Sequence, residues 1–167
     1  MKKALTLTLL LATLTLLLAP AVTQAATPTS TEKQVIRLVN KERTKRGLAP
    51  VRFNTKLTVA ARAHSREMAR RQTLTHRSAN GDSVATRLIS YSYTRSSCRY
   101  WAVGENIACA RTSSLLSTPQ GVVYQWMHSS AHRAVILKST FRDVGVGIAT
   151  SSNGVRYFTL DMGRRIR

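Results

Sequence analysis

The first clear pattern of apolar and polar residues lies between residues 31 and 46. Apolar side chains recur at helical spacing and the positions between them are charged or polar, which predicts an amphipathic helix. Thr31 and Gln34 can form its capping box, and Gly47 follows its last residue. Residues 48–53 are expected to be an extended link, since Pro50 disfavours a helical residue before it.

A second helix is predicted from Asn54 or Thr55, one of which supplies the N-cap, to about Arg71. Its inward stripe holds three apolar residues and one histidine, namely Leu57, Ala61, His64 and Met68. We therefore expect His64 to be a buried, hydrogen-bonded histidine of the core and not a ligand. Shorter helices are predicted over residues 83–89, from Thr118–Pro119 onward, and over residues 131–137.

The pattern changes near the end of the chain. Val144, Val146 and Ile148 alternate with small residues, and a turn at Asn153–Gly154 leads into residues 155–162. Such alternation around an Asn-Gly turn predicts a β-hairpin. Helices followed by a hairpin indicate an α+β domain with an antiparallel sheet covered by helices.

The first 25 residues have the pattern of a signal peptide. Lys2 and Lys3 precede an apolar run over residues 4–19, and small residues at Thr23 and Ala25 suit cleavage after Ala25, with cleavage after Ala26 as the alternative. We expect an exported protein with a short polar lead, residues 26–30, and one domain over residues 31–167. No second apolar stretch follows, so no membrane span is expected after cleavage.

Composition makes this domain strongly basic. The chain has 26 Lys and Arg against 7 Asp and Glu, and without Lys2 and Lys3 the balance is 24 to 7, a formal charge of +17. This charge is expected to attract anionic polymers or lipid headgroups, although a solvated basic face without a partner is the alternative. No zinc-finger pattern or aromatic-rich strand is present, so sequence-specific nucleic-acid binding is not expected.

Few residues are suited to chemistry. His76 follows the second helix at the start of a loop, and Glu105 follows Gly104, which permits a close approach or an unusual backbone angle. His128 and His132 have metal-binding spacing, but the segment lacks the Glu of a metalloprotease helix, and His128 is expected at the surface. Three glutamates on predicted helices are expected to form surface ion pairs; they are Glu32, Glu42 and Glu67.

Taken together, several fragments in this order resemble the CAP family of cysteine-rich secretory proteins, antigen 5 and pathogenesis-related proteins, in its short bacterial SCP-like form. The resemblance runs from about Val35 to Gly163. It rests on LVNKER at 38–43, ARAHSREMA at 61–69, LTH at 74–76, GENI at 104–107, WMHSSAHR at 126–133, IL at 136–137 and GVGI at 145–148.

The resemblance implies a three-layer α-β-α sandwich with a central antiparallel sheet and a cleft that carries two histidines and two acids. By motif, His76, Glu105 and His132 match three of these positions. Ser129 stands where larger members place the second acid, and Asp82 is the nearest substitute in sequence. Such a cluster can hold a divalent cation such as zinc through His76 and His132, or it can be a structural hydrogen-bonded group.

Cys98 and Cys109 flank Gly104 and Glu105, and export favours their pairing in a disulfide bond that would brace Glu105. Free thiols or an intermolecular bond are the alternatives.

The sequence interpretation as a whole leaves two candidate functions. The first is a secreted, non-enzymatic module that binds an envelope polymer, a lipid or a partner protein. The second is a metal-dependent hydrolase that uses the cleft cluster. The first function requires no cofactor.

Overall fold

The computed structural model describes residues 27–167, so the predicted signal peptide lies outside the described residues. The helices are α1 (Ser30–Thr44), α2 (Thr55–Arg71), α3 (Val84–Ser90), α4 (Pro119–Met127) and α5 (Ser130–Ile136), with a 3-10 turn at Leu115–Ser117. The strands are β1 (Arg52–Phe53), β2 (Tyr100–Arg111), β3 (Asp143–Thr150) and β4 (Val155–Ile166). Among these helices, none combines the length and apolar character that a bilayer crossing requires.

The four strands form one sheet in the order β1-β3-β4-β2. β4 pairs antiparallel with both β3 and β2, and the two-residue β1 runs parallel to β3. One face packs against α2 and α3, and the other carries the main apolar core with α1, α4 and α5. The α+β sandwich with a central, mainly antiparallel sheet is therefore confirmed.

Glycines on β3 allow α2 to lie directly against the sheet. A Cβ atom at Gly145 would fall 2.2 Å from the backbone of Leu57, and one at Gly147 would fall 2.2 Å from the backbone of Ala61. The small residues in the predicted alternation thus face α2, and Val144 and Val146 face the main core. The hairpin and its Asn153–Gly154 turn are confirmed.

The start of α1 differs from its prediction. Thr29 is the N-cap, and its capping box is completed by Glu32, two residues before the predicted pair of Thr31 and Gln34. Glu32 is also not a surface residue: it is buried and accepts two hydrogen bonds from Arg62 of α2, at 2.6 and 2.8 Å. Glu32 therefore completes the cap of α1 and also joins α1 to α2 through its ion pair with Arg62.

The long strand β2 is absent from the sequence prediction. It pairs with β4 along all twelve residues, so Glu105 lies within a strand and not in a loop. Its residues alternate between the two helical layers: Val103 packs near α2 and α3, and Ala108 belongs to the main core. Because helices cover both faces of β2, the side chains on neither face need to be polar. The strand therefore lacks the alternation of apolar and polar residues that marks a half-exposed strand.

The predicted disulfide between Cys98 and Cys109 is wrong for this fold, since both cysteines are free. Cys98 precedes β2 and Cys109 lies near its far end. A strand rises about 3.3 Å per residue, which separates the two Cα atoms by about 30 Å, whereas a disulfide needs roughly 4.4–6.8 Å. The prediction rested on export and on the short separation of the two cysteines in sequence, and it did not anticipate the extended strand between them.

Candidate functional site

A histidine–carboxylate pair lies on the α2/α3 side of the sheet. His76 follows α2, and its Nδ1 lies 2.8 Å from Oε1 of Glu105 on β2. The side chain of His76 is 52% exposed, whereas that of Glu105 is 1% exposed. A carboxylate can only accept here, so Nδ1 carries the proton and donates it. This hydrogen bond fixes the orientation of the imidazole ring through Nδ1, and Nε2 takes no part in it.

Arg87 on α3 holds the carboxylate from its other side. Its Nη2 donates a short hydrogen bond to Oε2 of Glu105. Its Nη1 donates to the carbonyl oxygen of His76 and to Oγ of Ser78, each at 3.1 Å. Arg87 is buried, and its guanidinium joins the loop after α2 to β2. Within residues 27–167, Glu105 is the only acid that pairs with its charge.

Asp161 adds a second buried carboxyl group. It lies directly opposite Glu105 in the pairing of β4 with β2, and its side chain is fully buried. Burial raises the pKa of Asp161 well above its ordinary value, and the negative charge of Glu105 raises it further, against a smaller effect of Arg87. A protonated Asp161 avoids a second buried negative charge beside Glu105, and neither of its oxygens has a hydrogen-bond partner among the described residues.

Sequence reasoning missed both Arg87 and Asp161. Arg87 is one of nineteen arginines after the predicted cleavage site, and nothing in its neighbourhood marks it as buried. Asp161 offered a signal, because it interrupts an apolar strand between Leu160 and Met162. A lone acid at a strand position indicates a buried partner or a raised pKa.

The other two predicted cleft residues take different positions. His132 lies on α5, on the opposite side of β2 from Glu105, and its carbonyl oxygen accepts a hydrogen bond of 2.9 Å from Asn106. Burial lowers the pKa of His132, and the nearby His76 lowers it further. Asp82 accepts a hydrogen bond of 2.9 Å from the side chain of Asn80.

His76 and Asp82 line two different, neighbouring pockets. An open pocket of about 450 Å³ is lined by His76, Arg77, Glu105 and residues of α3 and β2. Asp82 instead lines a pocket of about 260 Å³, together with Glu67 and Arg70. The structure thus brings His76 and Glu105 together, places His132 near His76 across the sheet edge, and leaves Asp82 in the adjacent pocket.

The donor set gives limited support to a metal ion. Within residues 27–167 no group of three or more His, Cys, Asp or Glu side chains is arranged to hold one. Zinc sites in enzymes usually have three protein ligands, and His76 and His132 would supply two nitrogens. Metal binding at these two residues stays a prediction.

His64 and His128 take the environments predicted for them. His64 is buried, and its Nε2 donates to the carbonyl oxygen of Thr75 at 2.8 Å, so it is a core histidine. His128 is at the C-terminal end of α4 with its ring against Tyr124, whose side chain is exposed.

Six of the seven acidic side chains are engaged by groups of the protein itself, and the seventh is buried. Four glutamates form ion pairs with basic residues, Asp143 accepts from the hydroxyl of Tyr93 at 2.6 Å, Asp82 is held by Asn80, and Asp161 is buried. Within residues 27–167, five lysines and arginines pair with these glutamates; they are Lys45, Arg46, Arg62, Arg71 and Arg87. Most of the basic charge is therefore uncompensated.

Comparisons of this chain with known proteins identify one family. The model of the cysteine-rich secretory protein family, CAP, matches residues 36–162. The Bacillus subtilis protein YkwD, which is uncharacterized, is 35% identical over 122 residues, which cover 73% of this chain and 44% of YkwD. The uncharacterized membrane protein YlbC of the same organism is 30% identical over 120 residues, which cover 72% of this chain and 32% of YlbC. The chain spans less than half the length of either relative.

Solved structures show the same fold at low sequence identity. An extracellular protein containing an SCP domain from Bacillus anthracis superposes with a TM-score of 0.67 at 22% identity, over 80% of this chain and 40% of that one. An outer surface protein from Borrelia burgdorferi also gives 0.67, at 18% identity, over 80% of this chain and 91% of that one.

Proposed function

This chain belongs to the CAP family of cysteine-rich secretory proteins, and from that premise we propose that it is an exported, non-enzymatic module that binds anionic polymers or lipid headgroups of the cell envelope. One observation carries the proposal: the protein's own groups engage six of the seven acids, the seventh is buried, and most of the 24 basic residues are left unpaired on a domain of formal charge +17. Unpaired surface charge of one sign attracts polyanions.

The kind of charge also supports this binding. Nineteen of the 24 basic residues are arginines, whose planar guanidinium groups can bind two oxygens of one phosphate or carboxylate. An export signal would place them outside the cytoplasm, and structural neighbours are described as an extracellular protein and an outer surface protein. Anionic polymers and headgroups of the envelope are partners of suitable charge there.

We expect the protein to bind vesicles that contain an anionic phospholipid, and to bind linear polyphosphate, but not zwitterionic vesicles or neutral dextran. The His76→Ala variant should bind these anionic probes within about twofold of wild type, because one half-exposed imidazole adds little to a field of this size. Co-sedimentation and fluorescence titration measure both. Equal binding to neutral and anionic probes, or loss of binding in His76→Ala, would contradict a charge-driven module.

A second candidate function is a hydrolase, and the His76–Glu105 pair is the observation that favours it. A buried carboxylate orients the imidazole, and Nε2 is free to act as a general base beside the open pocket. Zinc, if bound by His76 and His132, would supply an activated water. The two functions separate experimentally, because loss of His76 should abolish hydrolysis and leave polyanion binding intact.

Zinc titration tests the metal part of this second function. If His76 and His132 share one ion, His132→Ala should bind zinc at least about tenfold more weakly than wild type, since loss of a direct ligand costs no less than loss of an outer-shell partner. Isothermal titration with zinc chloride measures both affinities, and His128→Ala is the matched control. Equal affinities for wild type and His132→Ala would mean that the two histidines do not hold a metal together.

A further inference from the structure

One end of the sheet is unusually rich in arginine. At this end β3 and β1 begin, β4 ends and β2 begins, so residues far apart in sequence come together. We call the set the arginine end; its members are Arg52, Arg99, Arg142, Arg164, Arg165 and Arg167, together with Arg95, whose carbonyl oxygen accepts from the amide of Cys98 in the turn just before Arg99. Each of the four strands or the residue leading into it therefore contributes at least one guanidinium.

Backbone hydrogen bonds fix this juxtaposition. The amide of Arg52 donates to the carbonyl oxygen of Arg142 at 2.7 Å, and the amide of Arg142 donates to Gly163, the residue before Arg164, at 2.9 Å. The amide of Arg99 donates to the carbonyl oxygen of Ile166 at 2.8 Å. Neighbouring strands lie about 4.8 Å apart, so the series crosses the sheet within roughly 15 Å.

The basic residues at this end far outnumber the acids beside them. Within the part of the chain that the structure describes, none of the seven arginines forms an ion pair with an acid. Asp143 is the acid at this end by strand register, and it accepts the hydroxyl hydrogen bond of Tyr93 at 2.6 Å. Arg165 stacks over the ring of Tyr93, 4.6 Å from its centroid, which keeps that guanidinium in place.

Four of these arginines have exposed side chains that can reach a ligand. The four exposed residues are Arg52, Arg95, Arg99 and Arg167. Nε of Arg99 donates to the main-chain oxygen of Arg167 at 3.2 Å, which holds these two residues together. The other three are partly buried by their neighbours. The arginine end thus combines three partly buried arginines with four exposed ones.

We infer that the arginine end is the binding site for a linear, phosphate-bearing polymer. The inference rests on the proposed function and locates the polyanion on the protein. A phosphate group offers several oxygens that two or more guanidiniums can share, and arginines about one strand spacing apart can each bind successive or shared phosphates of a flexible chain. Lysine-rich surfaces provide charge without this bidentate geometry, and the arginine end contains no lysine.

The test uses two triple variants with the same loss of charge. The first is Arg95→Gln, Arg99→Gln and Arg167→Gln at the arginine end. The matched control is Lys33→Gln, Arg37→Gln and Lys41→Gln on the exposed face of α1, three residues that form no ion pair with any described acid. Linear polyphosphate is the probe, poly-L-glutamate of similar length is the carboxylate comparison, and circular dichroism verifies that both variants are folded.

We expect the arginine-end variant to bind polyphosphate at least about tenfold more weakly than wild type, and the α1 variant to lose less than about threefold, because charges beyond about 8 Å are screened. Wild type should prefer polyphosphate over poly-L-glutamate. Equal losses in the two variants would overturn the location and leave the proposed function standing, whereas equal affinity for both polymers would overturn the phosphate preference. Failure of wild type to bind either polymer would overturn the proposed function itself.

Discussion

Replacement of Arg43 with methionine should lower the free energy of unfolding by about 3–5 kcal/mol, because the change leaves several buried acceptors without a donor. Arg43 lies on α1 with its side chain fully buried. Its guanidinium donates to four backbone carbonyl oxygens, at 2.6–3.2 Å, those of Ala49, Ile136, Lys138 and Phe141. One side chain thus joins α1 to the segment that leads into β3.

Urea denaturation followed by circular dichroism measures this loss. Arg43→Lys should recover little of it, since an ammonium group cannot reach four carbonyls arranged around a planar fork. The matched control is Arg37→Met, an exposed position on the same helix, where we expect a change within about 0.5 kcal/mol. A loss below about 1 kcal/mol for Arg43→Met would show that water or a shifted backbone satisfies these carbonyls.

The second large effect is expected at the buried charges of the candidate site. The double variant Glu105→Gln, Asp161→Asn should lose about 3–5 kcal/mol of stability at neutral pH, because Arg87 would keep its buried positive charge with no carboxylate beside it. Glu105→Gln alone should cost less. In that variant Asp161 no longer faces a negative neighbour, so it can ionise and pair with Arg87.

The single variant Asp161→Asn is the control, and its effect should depend on pH. The pKa of Asp161 is raised by burial and then by Glu105, so the folded protein keeps a proton that the unfolded chain has lost. Stability therefore falls as pH rises from the ordinary aspartate value through the raised one, by up to about 1.4 kcal/mol per pH unit. Asp161→Asn removes this loss.

Urea titrations at several pH values compare wild type with Asp161→Asn. The difference in unfolding free energy should move in favour of the variant between about pH 4 and about pH 7. If that difference stays constant with pH, Asp161 is ionised in the folded protein, and the buried acid pair is not as described. A double variant as stable as wild type would likewise show that Arg87 does not depend on these two carboxylates.

Much of the fold was predictable because local signals agree with the tertiary structure. Asn54 caps α2, Thr118 and Pro119 open α4, and the Asn153–Gly154 turn joins β3 to β4, as their sequence signals indicate. The start of α1 was harder to place from sequence because two overlapping capping boxes compete. The earlier box has a glutamate, which also pairs with Arg62 across the helix interface, and this tertiary contact selects it.

The strand β2 and half of the candidate site could not be found in the same way. β2 is covered on both faces, so its sequence lacks polar alternation and is interrupted by Gly104 and Glu105. His76 and Glu105 were found through their local context, the exit from a helix and the neighbouring Gly104, and through their positions in recognised fragments. Arg87 and Asp161 acquire their roles only when α3 and β4 approach Glu105, and that approach is a property of the tertiary fold.

The salt dependence of polyphosphate binding tests the central claim, that uncompensated basic charge makes this protein a polyanion-binding module. Affinity is measured by fluorescence titration at several sodium chloride concentrations near neutral pH. We predict that the logarithm of the binding constant falls linearly with the logarithm of salt concentration, with a slope of about −3 or steeper, as expected when four or more charges are neutralised. Affinity that is independent of salt would contradict the account and point to an apolar or cleft contact in its place.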